Sequence, residues 1–107
     1  MRLSPGLAAS ATPRIIELLG PPPARVLELG FAGIHAEPLR LAGFEVTVVE
    51  PDPTHFARAR ERAGEALAAM PDVDFDAAVA PDGADLTGIH AARVLLVARD
   101  GSVSERR

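Results

Sequence analysis

The chain has no cysteine, lysine, asparagine, glutamine, tyrosine or tryptophan. Each absence removes a chemistry. Without cysteine there is no disulfide framework, no thiolate metal site and no thiol nucleophile. Without lysine there is no Schiff base, and without tyrosine no phenolic acid. Without side-chain amides one common oxyanion donor is gone. Long apolar runs are missing too. No stretch approaches the roughly 18 residues of a membrane span, and Met1-Arg2-Leu3-Ser4-Pro5-Gly6 lacks the apolar region of a secretory signal. A cytoplasmic protein is the expectation.

What is present fits one domain. A chain of 107 residues, 48% of them apolar, can bury a modest core but leaves no room for a second domain. All eleven basic residues are arginine, and the net charge is −4. With no basic stripe interleaved with aromatics, no nucleic-acid partner is expected. Any catalysis must come from His35, His55, His90, the carboxylates, the arginines or the backbone.

Residues 1–11 are small and mixed and read as a loose arm. Thr12-Pro13 has the form of a helix start, threonine as N-cap and proline in the first turn, and Gly20 with Pro21-Pro22-Pro23 ends that helix. Arg25 to Gly30 and the β-branched Glu45 to Glu50 read as strands, with a short helix from Glu37 to Gly43 between them, which is a parallel strand–helix–strand unit. Asp52-Pro53 opens another helix. Phe56, Ala59 and Ala63 follow at helical spacing, extended by Leu67 and Met70, while Arg58, Arg60, Glu61 and Arg62 fall mostly on its solvated face. Phe75 to Ala80 and Arg93 to Ala98 read as third and fourth strands joined by a helix over 85–91. Asp100-Gly101 is a turn pair that allows Ser102 to Glu105 to fold back as a short antiparallel strand.

Ligands of open parallel sheets bind at the carboxyl ends of the strands, where the strand order reverses. Three segments fall there: Gly30 to Gly33, Glu50, and Ala80 to Gly83. Gly30 and Gly33 can admit a ligand close to the backbone or permit tight strand–helix packing. Glu50, twenty residues after Gly30, can accept hydrogen bonds from both hydroxyls of a ribose or end its strand in solvent. Glu28 can reach a ligand through water or brace the loop. The segment from Asp72 to Gly83 fails as a calcium loop, because Ala77 and Gly83 stand where glycine and glutamate are required. The three histidines have no metal-ligand spacing, so no metal site is expected. Neither a Gly-x-x-x-x-Gly-Lys run nor a Gly-x-Gly-x-x-Gly turn is present, which excludes a phosphate loop and leaves a nicotinamide dinucleotide as a rival without its fingerprint.

The run Glu28-Leu29-Gly30-Phe31-Ala32-Gly33 is similar to the acidic, glycine-rich turn of class I S-adenosylmethionine-dependent methyltransferases. His35-Ala36-Glu37-Pro38-Leu39 resembles the start of that family's next helix. Gly43 to Pro53 resembles its second strand with the ribose-binding acid, and Gly64-Glu65-Ala66-Leu67 its turn beside the adenine. Phe75 to Ala80 resembles the strand at the methyl-donor end. The likeness spans residues 24–98. It implies an α/β fold with a small, mainly parallel Rossmann-like sheet of about four strands sandwiched by helices, in spatial order second, first, third, fourth. It also implies S-adenosylmethionine as cofactor. Glu28, Gly30, Phe31 and Gly33 would lie at the loop, Glu50 on the ribose, and Pro51 and Glu65 flanking the adenine. No catalytic residue is assigned. His35 and His90 are the better candidate bases, then Asp82.

Two departures bear on activity. The glycine turn is one residue short, with Ala32 in place of a glycine and its neighbour. The family's third strand and its last two strands are missing or reduced. A non-catalytic methyltransferase-like subunit or regulatory module is therefore the second reading. Loss of the third strand would leave Val46 to Val49 as a bare apolar edge, so a homodimer or a partner subunit capping it is expected.

Overall fold

A computed structural model describes residues 10–106. The chain runs through α1 (Thr12–Leu19), β1 (Arg25–Leu29), α2 (Ala36–Leu41), β2 (Glu45–Val49), α3 (Pro53–Ala63), β3 (Phe75–Pro81), β4 (Ala91–Val97) and β5 (Val103–Arg106). The strands form one open sheet in the order β2-β1-β3-β4-β5, flanked by helices. The first four are parallel, and β5 returns antiparallel to β4 after the Asp100-Gly101 turn. The fold is α/β and the order of the first four strands is the expected one; the sheet has five strands rather than four.

The order reverses at β1, with β2 on one side and β3 and β4 on the other. Right-handed crossovers stepping outward from β1 to β2 and on to the parallel bridge at Leu67 keep α2 and α3 on one face, and the return steps to β3 and β4 put their connections on the other. Ile15 of α1, Leu39 of α2 and Ala59 and Ala63 of α3 join one core cluster with Val26, Val48, Val79 and Leu95. Leu27, Leu29, Val49, Ala78 and Ala80 face the other way, where Met70, Leu86 and Ile89 cover them from connecting segments. Helices thus cover one face and loops the other, which corrects the expectation of a sheet sandwiched between helices.

The expected helix over 85–91 is absent for a reason of reach. Nine residues separate β3 from β4. They must return along a strand about 20 Å long, whereas nine helical residues span only about 14 Å. The segment stays extended, with turns. The helix begun at Asp52 also ends early. Asp52 caps it by accepting from Thr54 N–H at 2.9 Å, and Gly64 closes it at φ 80°. Leu67 and Met70 therefore lie beyond the helix. Leu67 instead bridges Val49 in parallel, donating to the Val48 carbonyl and accepting from Glu50 N–H, both at 2.8 Å. Arg40 donates to the Val46 carbonyl. The β2 edge is consequently not bare, and the side chains of Val46, Val48 and Val49 are buried.

Thr12 does not cap α1. Ala11 stands at the N-cap in helical conformation, and the Thr12 hydroxyl shares a 2.7 Å hydrogen bond with His35 Nδ1. Of the expected loose arm, residues 1–9 lie outside the described residues, and Ala11 is in the core. Among the described residues no helix is long and apolar enough to cross a membrane.

Candidate functional site

The turn after β1 is built on three left-handed residues: Gly30 at φ 79°, Ala32 at φ 52° and Gly33 at φ 79°. Glycine adopts this region freely, whereas alanine does so at a cost of roughly 1–2 kcal/mol. Two buried carboxylates hold the turn. Glu28, alternating with Leu27 on β1, points beneath it and accepts from His35 N–H at 3.0 Å and from the backbone of Gly33. Glu50, at the end of β2, accepts from Ala32 N–H through Oε1 and from Asp52 N–H through Oε2, each at 3.1 Å. Both side chains are buried, Glu28 at 0% and Glu50 at 1% exposure.

Burial pushes the Glu28 carboxyl up to about 7. The N–H groups of His35 and Gly33 and the charge of Arg40 oppose the shift, and the Glu50 carboxylate adds to it. Its Oε1 has no hydrogen-bond partner among the described residues, and neither has His35 Nε2. Burial likewise lowers His35, to about 4. A neutral imidazole at 0% exposure, edge-on to Phe31 at 4.7 Å, is a packing residue. It cannot reach a substrate as a base.

Above the turn lies a cleft of about 1200 Å³. It crosses the carboxyl ends of β2, β1, β3 and β4, a distance of roughly 14 Å from the sheet spacing. Its floor is apolar, from Leu29, Phe31, Ala32, Ile34 and Val97. Glu50, Pro51 and Asp52 close it at the β2 end, and Pro81 to Asp85 at the β3 end. Of the candidates read from the sequence, Gly30, Phe31, Glu50 and Pro51 are brought together on this cleft. Glu28 and Gly33 are not on its wall. Glu28 lies beneath the turn, and a Cβ on Gly33 would stand 3.2 Å from the Ala59 carbonyl, so that glycine serves close packing of turn and helix. Glu65 is exposed and outside the cleft. Of the candidate bases, Asp82 lines the cleft, whereas His90 lies apart from it, 3.8 Å from Asp72.

Sequence reasoning missed the α3 wall. His55, Arg58 and Arg62 line the cleft although their helical positions read as solvent-facing. Their spacing of three, four and seven residues along one helix face was the available signal. Arg62 also donates to the Ala32 carbonyl at 3.3 Å, and His55 Nε2 stands 3.6 Å from Asp52 Oδ2. Among the described residues no group of three or more histidine, aspartate or glutamate side chains is placed to hold a metal ion.

No protein-family model matches the chain, and no curated protein matches it in sequence.

Proposed function

We propose that the cleft binds a nucleoside without a phosphate, of the S-adenosylmethionine kind. The observation that carries the reading is the use of the turn's N–H groups. In dinucleotide and phosphate sites such groups face the ligand's anion. Here those of Ala32, Gly33 and His35 are taken up by the chain's own Glu28 and Glu50. A pyrophosphate would meet carboxylates where it needs donors, which disfavours the nicotinamide alternative. A nucleoside with a cationic sulfonium meets no such repulsion.

The residues present fit that group. Glu50 is a carboxylate on the cleft wall at the end of β2, the kind of acceptor that ribose hydroxyls use. Gly30 brings backbone to the cleft without a side chain, Phe31 and Pro51 offer apolar faces, and the volume suffices. When bound, S-adenosylmethionine supplies an activated methyl group for transfer to a nucleophile. The chain's own part in such a transfer would be to hold and orient the reacting groups. Asp82, next to β3, is a cleft carboxylate that can accept a proton from an acceptor.

The second reading, a non-catalytic module, is favoured by two observations. His35 is sealed in the core, and loops replace helices on one sheet face. A capping copy or partner subunit belongs to either reading. It would sit beside Leu67, 41% exposed at the β2 edge, and a sedimentation coefficient independent of concentration would count against self-association.

Calorimetric titration with S-adenosylhomocysteine, NAD and ATP tests the main reading. Binding of S-adenosylhomocysteine more tightly than NAD or ATP, weakened at least tenfold in a folded Glu50→Gln variant, is the expected result, since a lost charge-assisted hydrogen bond costs about 1.5–3 kcal/mol. Tighter binding of NAD, or no heat from any of the three, would sink it. Turnover with a panel of acceptors separates enzyme from module.

A further inference from the structure

The cleft is electrically uneven. Asp82, Asp85 and Asp100 stand with Arg99 at the ends of β3 and β4, while α3 presents Arg58 and Arg62 one turn apart, with His55 beside them and Glu50 and Asp52 at the adjoining end of β2. Acids outnumber bases in this chain, 15 to 11, and three of the described arginines pair with them: Arg14 with Glu17, Arg25 with Glu45 and Arg93 with Glu105. Arg58 and Arg62 have no carboxylate partner among the described residues, and Arg62 instead holds the Ala32 carbonyl. The backbone donors that would otherwise take an anion are occupied by Glu28 and Glu50. The α3 arginines are therefore what this end of the cleft offers an anion, and guanidinium groups bind oxyanions in bidentate fashion.

We infer that the α3 wall of the cleft is a seat for an oxyanion, carboxylate or phosphate, carried by a second small molecule that binds beside the nucleoside. The inference deepens the nucleoside reading by naming the chemistry of the co-ligand. The nucleoside's own carboxylate is the other source of the same chemistry, and the experiment separates the two.

The probes are inorganic phosphate and citrate, titrated calorimetrically at low ionic strength into the wild-type protein and into Arg58→Gln and Arg58→Gln/Arg62→Gln variants. S-adenosylhomocysteine and 5′-methylthioadenosine, which lacks the carboxylate, are titrated in parallel, and circular dichroism monitors the fold. The expected result is millimolar binding of a probe that weakens at least fivefold in Arg58→Gln and further in the double variant, with both nucleosides within threefold of wild type. Equal probe affinity in wild type and variants, or none in wild type, overturns the seat. Selective loss of S-adenosylhomocysteine but not 5′-methylthioadenosine assigns the arginines to the nucleoside's own carboxylate and overturns the co-ligand. If no nucleoside binds while the probe still discriminates, the nucleoside reading fails and the seat stands. Because Arg62 touches the turn, Arg58→Lys supplies a milder variant, expected to retain most of the probe binding.

Discussion

Glu28 and His35 are neighbours in the core with opposite titration shifts, and the shifts dictate how stability follows pH. Glu28 titrates near 7 when folded against 4.5 ordinarily. Between those values the unfolded chain has lost a proton that the folded chain keeps, so stability falls as pH rises through that window. His35 titrates near 4 against 6.5. Its contribution is intact above 6.5 and falls as pH drops toward 4. The two slopes oppose each other between 4.5 and 6.5, leaving a plateau, with a decline below it from His35 and one above it from Glu28. In Glu28→Gln the decline between pH 6.5 and 7 should vanish while the acid-side decline remains, read from urea unfolding across pH. Ala32 supports a second prediction at this scale. Relief of its left-handed strain, less the extra unfolded-state freedom of glycine, should make Ala32→Gly about 0.5 kcal/mol more stable. The check is a higher urea midpoint at unchanged slope.

Among the elements, the segment after α3 has the clearest task. One residue, Leu67, makes two hydrogen bonds to the outer edge of β2, and Arg40 links the carbonyls of Ala63 and Val46 to α2. Together they do for that edge what a neighbouring strand would do. Leu67→Pro removes the donor to the Val48 carbonyl. It should cost about 1–3 kcal/mol and increase concentration-dependent association in sedimentation, because an uncovered β-branched edge pairs with other edges. Unchanged association in a destabilised Leu67→Pro protein would show that the edge is not the sticky element. At the opposite side Arg93 of β4 donates to the Leu18 and Leu19 carbonyls, closing the end of α1 with a side chain 75 residues away in sequence from Leu18.

Across the whole molecule the sheet is covered unequally. Helices seal one face, and the segments between α3 and β3 and between β3 and β4 seal the other. Loops make fewer internal backbone hydrogen bonds than helices and open more readily. Hydrogen exchange should therefore be slowest in β1, β3 and β4, the strands flanked on both sides. It should be fast over most of 82–90, where, apart from Asp82 bonded to Val97 and His90 bonded to Phe75 at the two ends, the backbone hydrogen bonds only close turns. Fast exchange in β1, or protection over 82–90 equal to that of α3, would contradict this distribution. Because 82–85 lines the cleft, a nucleoside there should slow exchange in the same segment.

The local code was sufficient for much of this protein. Short apolar runs, β-branched only at β2, specified β1 to β4, the Asp52-Pro53 pair set the start of α3, and the acid–glycine spacing put Gly30, Phe31, Glu50 and Pro51 at one place. Those signals are legible because they act between residues near in sequence. Tertiary structure decided the rest through contacts and distances that no local pattern carries. The return path along β3 forbade a helix over 85–91, and His35 drew the Thr12 hydroxyl away from a cap. Burial made Glu28 a brace beneath the turn, packing against Ala59 fixed Gly33, and the lie of α3 beside the turn brought Arg58 and Arg62 to the cleft. Covalent order makes the strands and turns of this chain, but which polar group meets which is set only when the sheet brings distant residues within hydrogen-bond reach.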